Sequence, residues 1–257
     1  MRRLNFEKLK INIQNWIIEY ARSAKANGIV VGMSGGIDSS VIAALSVNAL
    51  GKENVIGVGL PCESHSNDLE DAKMVADNLG IAFKVIDLTE IYNKFINSIS
   101  GIFSGNKLAR ANVKPRLRMI TLYYIAQSLE NYLVAGTGNR AELAIGYFTK
   151  YGDGGVDIEP IGNLYKSEVR KLARVLNIPE KIIKKPPSPG LWPGQTDEGE
   201  IGLTYDLIDE ILYRIDNNLD LSDLDERDVQ KVKKMMKKAQ HKLEMPPSYK
   251  IGENDLL

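Results

Sequence analysis

The sequence predicts an α/β fold in which an open parallel sheet carries helices on both faces. Short apolar segments of strand length alternate with segments whose apolar residues recur at helical spacing. Such alternation implies parallel strands, because a parallel pair is joined by a crossover that is usually a helix. No internal repeat or second domain boundary is apparent, so we expect one domain over residues 1–257.

The individual elements are predicted from their patterns. Residues 6–20 place apolar side chains at helical spacing, and Gly28 ends this first helix. Strands are predicted over 29–32, 54–60, 82–86 and 131–135, and helices over 37–50, 67–79, about 115–130 and 166–177, with further helices after Asp87 and from about Asn139. The segment 184–202 is rich in proline and glycine and is predicted to be a mobile lid, and 203–257 a C-terminal helical part.

Composition limits the class of protein. The chain has 257 residues, of which 44% are hydrophobic and 26% charged, as in a globular protein. Its 33 basic and 33 acidic residues leave no net charge, which argues against a nucleic-acid partner, and the single cysteine excludes a disulfide scaffold. No apolar run approaches the roughly 20 residues of a membrane span, and no signal-like core begins the chain. We therefore expect a cytoplasmic protein without a membrane partner.

The most informative segment is the loop between the first strand and the next helix, residues 32–40. Gly35 and Gly36 let the backbone approach a ligand closely, and the serines beside them offer hydroxyl donors. The following helix directs the positive end of its dipole at the same point, which suits an anion. Asp38 beside phosphates is understandable if a Mg²⁺ lies between them. The loop is not a Walker A motif, because the Gly-x-x-x-x-Gly-Lys pattern is absent.

Further segments carry polar residues at unusual density. Residues 133–142 are predicted to form a strand, a Gly-rich turn and a helix start, where Thr137 offers a polar contact and Glu142 a second carboxylate for Mg²⁺. Residues 146–157 mix aromatics, a lysine, glycines and two aspartates, which suits a planar polar ligand. Residues 111–118 place three bases before a helix, suited to phosphate or carboxylate groups. The structural alternatives are an N-capped helix, a mobile hairpin and a solvated helix start.

The string Ser34-Gly35-Gly36-Ile37-Asp38-Ser39 resembles the pyrophosphate-binding loop of the N-type ATP pyrophosphatases, which split ATP into AMP and pyrophosphate. With the other segments, residues 29–212 resemble the ammonia-dependent NAD synthetases of that superfamily, whose fold is Rossmann-like (adenine nucleotide alpha hydrolase-like). The resemblance implies an ATP-binding set of Gly32, Ser34, Gly35, Gly36, Asp38, Ser39, Thr137, Lys166 and Ser188 and a Mg²⁺ pair of Asp38 and Glu142. It assigns Asn112, Arg116, Lys150, Asp153, Asp157, His241 and Lys242 to the side that binds nicotinic acid adenine dinucleotide.

The resemblance also implies a two-step reaction. Because a carboxylate is a poor electrophile, AMP is first transferred from ATP to the nicotinate carboxylate, and ammonia then displaces AMP to give NAD. The expected catalytic residues are Asp38 and Glu142 around the metal and Lys166 beside the departing pyrophosphate, with Asp153 as the candidate for holding ammonium. Only 28 residues precede the first strand, so we expect free ammonia or a separate subunit, rather than a fused amidase domain, to supply nitrogen.

Several interpretations stay open at this point. The family implies a homodimer, and the apolar stripe Met119, Leu122, Tyr123, Ala126 and Leu129 fits either an interface or the core. Pro115 departs from the small residue common in the family, and we expect it to bend that helix start. The alternatives for function are another ATP pyrophosphatase, such as a tRNA-modifying ligase, or a non-catalytic adenine-nucleotide-binding module. The lysine-rich run 231–242 is interpreted as a solvated helix face, and Cys62 with His65 as no metal site.

Overall fold

The computed structural model describes residues 2–63, 66–188 and 195–251. Four parallel strands form one sheet in the order β3-β2-β1-β4. The strands are β1 (Gly28–Gly32), β2 (Val55–Gly59), β3 (Ala82–Val85) and β4 (Tyr132–Ala135). The helices are α1 (Phe6–Ser23), α2 (Ile37–Leu50), α3 (Ser66–Leu79), α4 (Thr89–Ser100), α5 (Lys107–Ala111), α6 (Val113–Ser128), α7 (Arg140–Ile145), α8 (Lys166–Val175), α9 (Glu180–Ile183), α10 (Asp197–Ile201), α11 (Tyr205–Asp216) and α12 (Glu226–Leu243).

Helices cover both faces of the sheet, so the predicted fold class is confirmed. Successive strand residues point to opposite faces, and β1 supplies both cores. Ile29 and Val31 are buried in the core that contains α1, α2, α3 and α8, whereas Val30 belongs to the core formed with α4 and α6. Parallel strands that are buried on both faces are expected to be continuously apolar, as β1 is.

The strand order brings two loops to the same edge of the sheet. β1 pairs with β2 on one side and with β4 on the other, and Val31 lies opposite Ala135. The loop after β1 and the loop after β4 therefore leave the sheet side by side. Chain connections diverge at this point, and such switch points are where open α/β sheets bind ligands.

The C-terminal helices form a third apolar cluster beside the sheet. Residues of α7, α11 and α12 pack together, with Ile208, Ile211 and Val232 fully buried. In α12, Val229, Val232 and Ala239 are buried while the lysines between them lie on the other side, which confirms the predicted amphipathic helix. The described residues contain no helix that is both long and apolar enough to cross a membrane.

Three local expectations need correction or addition. Pro115 lies in the first turn of α6, where a proline forfeits no intrahelical hydrogen bond, and the chain turns at Asn112 between α5 and α6, so a bend caused by Pro115 stays a prediction. The three bases of 111–118 lie within the helix rather than before it. The helices α5, α9 and α10 were not predicted, since four or five residues are too few to show helical periodicity.

The two isoleucines Ile17 and Ile11 on α1 offer a matched test of this packing. Ile17 is fully buried, whereas Ile11 is 52% exposed. We expect Ile17→Ala to lower the free energy of unfolding by about 2–5 kcal/mol, because it removes apolar contacts and leaves a cavity. Ile11→Ala should change it by less than about 0.5 kcal/mol. Urea denaturation measures both, and equal losses would contradict the assigned orientation of α1.

Candidate active site

The loop after β1 is shaped by its glycines and serines. Gly35 has a φ of +75°, and a Cβ there would lie 2.2 Å from the carbonyl oxygen of Asp68, so a side chain is excluded. The hydroxyls of Ser34 and Ser39 lie 3.2 Å apart, and Ser39 also donates to the carbonyl oxygen of Gly36 over 3.1 Å. Gly36 is the N-cap of α2 and has no capping side chain. The first N–H groups of α2 are therefore suited to an anion.

The central feature of the site is the buried ammonium group of Lys166, which lies between two carboxylates. Its Nζ donates to Asp38 Oδ2 over 2.6 Å and to Glu142 Oε1 over 3.0 Å. Lys166 is 2% exposed, and the two acids are each 16% exposed. Asp38 comes from the start of α2, Glu142 from α7 and Lys166 from α8. Three distant segments thus bring together Asp38, Glu142 and Lys166, three of the four residues expected to be catalytic; Asp153 lies outside this cluster of contacts.

Asn139 connects the two acidic segments. Its side-chain amide donates to Asp38 Oδ1 over 3.2 Å, and its carbonyl oxygen accepts from the backbone N–H of Glu142 over 3.1 Å. Glu142 Oε2 in turn accepts from the backbone N–H of Asn139, which completes a capping box at the start of α7. The same hydrogen bonds that begin the helix therefore aim Glu142 at Lys166. The spacing Asn139-x-x-Glu142 is the sequence pattern of such a capping box.

The site holds more negative than positive charge. Burial raises the pKa of Glu142 to about 7, and the nearby Asp38 carboxylate opposes ionisation further while Lys166 favours it. Burial alone would lower the pKa of Lys166, but the attraction of Asp38 and Glu142 outweighs it and holds that pKa above its usual range. The lysine is therefore a permanent cation, and full ionisation of both acids would leave one negative charge in excess, which the raised pKa of Glu142 opposes.

A further buried acid, Glu159, was missed by the sequence analysis. The turn after β4 wraps around its carboxyl group: the N–H of Gly138 donates to Glu159 Oε2 over 3.0 Å, and a Cβ on Gly136 would lie 2.4 Å from the carboxyl carbon. Burial raises the pKa of Glu159 to about 8. The only sequence signal was the pair of glycines in the turn, which give no indication of the partner 21 residues away.

Thr137 and Asp153 meet at a small cavity beside this turn. The cavity has a volume of about 40 Å³, which is enough for molecules the size of water. Asp153 keeps some surface exposure, yet the protein packed around its carboxyl group raises its pKa, while the backbone N–H of Thr149 donates to it over 2.8 Å. The lining is completed by Gly138, Glu142, Leu143, Tyr147, Phe148, Gly154 and Glu159.

The predicted dinucleotide residues gather around the loop 146–155. Asn112 accepts from the hydroxyl of Thr149 over 2.9 Å, and Arg116 donates to the carbonyl oxygen of Lys150 over 3.2 Å. Lys150 itself donates to the carbonyl oxygen of His241. These contacts link α6, the loop and α12, so residues far apart in sequence border one region.

Lys242 and Asp157 lie at the two ends of that region. Lys242 Nζ donates to the carbonyl oxygens of Gly146 and Phe148 over 2.6 and 2.7 Å, so it supports the loop from below. Asp157 accepts from the hydroxyl of Tyr123 over 3.0 Å and from a backbone N–H of β4 over 2.8 Å. It therefore ties the loop to β4 and α6, and this contact is structural.

The described ends of the segment 184–202 contact the site in an unexpected way. Ser188 donates to the carbonyl oxygen of Gln195 over 2.7 Å, which joins the two flanks to each other. Lys185 contacts the loop after β1, although the sequence analysis did not select it. Its Nζ lies 3.3 Å from the Gly35 carbonyl oxygen and 2.6 Å from Asp71 Oδ2. Residues 189–194, including Trp192, lie outside the described residues.

The two carboxylates fit a Mg²⁺ shared with phosphates. Asp38 and Glu142 contact the same ammonium group, so both carboxylates border one point of the site. Mg²⁺ is usually bound by one or two carboxylates together with waters and substrate phosphates. Among the described residues no group of three or more His, Cys, Asp or Glu side chains could form a metal site by itself. The interpretation that Cys62 and His65 form no metal site stays a prediction, because His65 lies outside the described residues.

Because the pKa of Glu159 is raised in the folded state, the free energy of unfolding of the protein depends on pH. A carboxyl group ordinarily loses its proton near pH 4.5, but here it keeps the proton in the folded state up to about pH 8. The unfolded state therefore releases a proton first, and folding stability falls as pH rises between these values. We expect Glu159→Gln to remove this loss. Its melting temperature relative to the unsubstituted protein should rise between pH 5 and pH 8.5, and a constant difference would contradict the assignment.

Comparisons with known proteins identify the family of this chain. Residues 10–246 match the family model described as NAD synthase. The NH(3)-dependent NAD(+) synthetase of Carboxydothermus hydrogenoformans is 50% identical over 95% of this chain and 98% of its own. A structure of the NMN synthetase from Francisella tularensis has a TM-score of 0.89 at 33% identity over 97% of this chain and 100% of its own.

A second solved structure, the NH3-dependent NAD synthetase from Campylobacter jejuni in complex with the nitrate ion, has a TM-score of 0.83 at 33% identity. It is covered completely and matches 96% of this chain. The predicted resemblance is confirmed by these matches, which extend over nearly the whole chain. The chain belongs to the NAD synthase family.

Proposed function

We propose that the chain converts nicotinic acid adenine dinucleotide, ATP and ammonia into NAD, AMP and pyrophosphate, as an ammonia-dependent NAD synthetase. The observation that carries this proposal is the convergence of Asp38, Glu142 and Lys166 at the open N-terminus of α2. A binding module for adenine nucleotides would have no need of two carboxylates aimed at one buried lysine. The identity to named synthetases over nearly the full chain supports the same activity.

In the first step, a carboxylate oxygen of the nicotinate attacks the α-phosphorus of ATP. The bond from that phosphorus to the bridging oxygen breaks, and the electron pair leaves with pyrophosphate. Lys166 and the N–H groups at the start of α2 stabilise the charge that develops on the leaving group. A Mg²⁺ held by Asp38 and Glu142 would neutralise phosphate charge when it is bound. Ser34 and Ser39 are placed to donate to phosphate oxygens.

In the second step, the nitrogen lone pair of ammonia attacks the acyl carbon, and AMP leaves with the electron pair of the acyl–oxygen bond. We assign ammonium capture to Asp153, whose carboxyl group borders the small cavity next to Glu142. Tyr147 and Phe148 also line that cavity, and aromatic faces attract small cations. Ammonium loses one proton to the Asp153 carboxylate before it attacks, and the nitrogen loses a second proton to water when the adduct collapses to the amide and AMP leaves.

The other side of the site suits the dinucleotide. Arg116 and Lys150 add positive charge at the loop 146–155. Lys242 donates to two carbonyl oxygens of this loop, those of Gly146 and Phe148. Guanidinium and ammonium groups recognise the phosphates of such a substrate. These assignments support binding of an anionic nucleotide beside ATP, and the use of ATP and a dinucleotide is consistent with a cytoplasmic enzyme.

A homodimer is part of the proposal. Most of the apolar stripe Met119–Leu129 packs inward, with Ala126 buried, so it belongs to the core rather than to an interface. The neighbouring face of α6 is different: Ile120 is 58% and Tyr124 73% exposed. Exposed apolar residues continue along α4 and α5, and such a patch is typical of an interface. They are Ile91, Phe95, Ile99, Ile102, Phe103 and Leu108.

The activity is tested by incubating the purified chain with ATP, Mg²⁺ and nicotinic acid adenine dinucleotide, with either ammonium or glutamine added. We expect NAD to form with ammonium, in equal amount with AMP and pyrophosphate. A parallel reaction with nicotinic acid mononucleotide tests whether the shorter acid is preferred. If no reaction produces AMP, the proposed function is wrong.

Glu142→Gln tests the carboxylate pair. The amide keeps the capping hydrogen bond and the shape of the side chain but removes its charge. We expect kcat to fall by about a hundredfold or more, because charge stabilisation around the reacting phosphate is lost. The melting temperature should change by only a few degrees. Glu226→Gln, an exposed acid in the first turn of α12, is the control, and activity of Glu142→Gln equal to that control would remove Glu142 from the mechanism.

The dimer is tested with a charged substitution on the exposed face of α6. Tyr124→Glu should convert the protein from a dimer to a monomer, because a buried unpaired carboxylate is costly in an apolar interface. Light scattering during size-exclusion chromatography gives the mass of each form. Ile11→Glu, on the exposed side of α1, is the control and should leave the mass unchanged. A monomeric unsubstituted protein, or a dimeric Tyr124→Glu, would contradict the proposed interface.

A further inference from the structure

We infer that helix α11 holds Lys166 at both its backbone and its ammonium end, through Asp209 and Tyr205, and that these two are positioning residues for catalysis. The inference rests on the proposed function, in which Lys166 stabilises the departing pyrophosphate. Tyr205 and Asp209 are not part of the proposed ATP-binding set, and both act through Lys166.

Asp209 supplies the cap that begins the helix of the lysine. Lys166 is the first residue of α8, and helix starts leave N–H groups without intrahelical partners. Asp209 Oδ1 accepts from the backbone N–H of Lys166 over 3.1 Å, and its Oδ2 accepts from that of Ser167 over 2.8 Å. Asp209 is 1% exposed, so no water replaces this contact readily. A carboxylate from another helix therefore fixes the backbone from which the lysine extends.

Tyr205 supports the other end of the same side chain. Its ring centroid lies 4.9 Å from Lys166 Nζ, within the range of a cation–π contact. Its hydroxyl donates to Asp197 Oδ2 over 2.8 Å and lies 3.4 Å from Glu142 Oε1. Tyr205 is fully buried, so its ring provides an apolar, water-free contact for the ammonium group. Two carboxylates and one aromatic ring thus surround Lys166 Nζ.

Tyr205 and Asp209 act on the same neighbour because they are four positions apart on α11. Side chains at i and i+4 share a helix face, so Tyr205 and Asp209 approach α8 together. Two other residues of α11, for which no contact with Lys166 is observed, provide matched controls. Asp206 is exposed and pairs with Arg170 over 3.1 Å, while Tyr213 stacks edge-on against Tyr165. The C-terminal helices therefore add to the site through α11.

The test separates the adenylation step from the complete reaction. Exchange of labelled pyrophosphate into ATP, with the dinucleotide acid and no ammonia, reports the step in which Lys166 acts. Tyr205→Phe releases the ring from Asp197 and Glu142, and Asp209→Asn weakens the cap of α8, so both free the lysine to shift. We expect each to slow this exchange and kcat by about ten- to a hundredfold, because a shift near 1 Å has effects of that size. The KM for ammonium should stay within about twofold. Tyr213→Phe and Asp206→Asn should match the unsubstituted protein in exchange rate.

A double substitution shows whether the effect passes through the lysine. Lys166→Met removes the charge, and adding Tyr205→Phe to it should then slow exchange no further, since residues that act as a unit are not additive. If Tyr205→Phe and Asp209→Asn exchange as fast as their controls, or slow the Lys166→Met protein further by their full factor, the inference is overturned. Melting curves of all variants establish that each protein is folded.

The outcomes also distinguish the inference from the function on which it rests. An unsubstituted protein that forms no AMP overturns both. A Lys166→Met protein with full exchange activity overturns the role of the lysine and the inference with it, while the synthetase activity stands. Loss of exchange in Lys166→Met together with unaffected Tyr205→Phe and Asp209→Asn overturns the inference alone.

Discussion

The buried contact of Lys166 with Asp38 and Glu142 is the interaction on which the arrangement of the site depends. Removing three charged groups from water costs several kcal/mol each, and close pairing must offset that cost. The structure meets this requirement with short hydrogen bonds from three segments, an amide from Asn139 and an aromatic face from Tyr205. The raised pKa of Glu142 shows that ionising both acids beside one lysine is unfavourable. A metal ion carried in with ATP would favour the ionised form of Glu142, so substrate binding and the protonation of Glu142 are expected to be coupled.

The parallel sheet makes this contact possible. Asp38 and Glu142 are about a hundred residues apart, yet they follow neighbouring strands whose carboxyl ends share one edge. Lys166 comes from outside the sheet, and α8 packs on the same face as α2. The segment 156–158 adds to the edge, since Ile158 forms a single parallel bridge with Ala135. This extension carries Glu159 into the turn after β4, next to Glu142.

Local patterns explain which parts of the molecule could be predicted. Strands and long helices were recognisable from apolar spacing, and the loop Ser34–Ser39 and the cap at Asn139 depend on residues that are neighbours in sequence. Glu159, Tyr205, Asp209 and Lys185 act across elements, and Asp209 contacts a backbone 43 residues away. The positions of Tyr205 and Asp209 in the sequence do not indicate which element they contact. Their contacts follow from side-chain direction on α11, which depends on packing that no short pattern encodes.

The phosphate loop shows how the site is prepared before ATP arrives. Its serines are engaged with each other and with the Gly36 carbonyl oxygen, and Lys185 holds the Gly35 carbonyl oxygen from the other side. ATP binding must exchange the serine contacts for phosphate contacts, and an exchange of one hydrogen bond for another yields little net free energy. The N–H groups at the start of α2 face no such competition from a capping side chain. We therefore expect the affinity for phosphate to come mainly from the start of α2 and from Lys166, and the serines to determine the position of the phosphates.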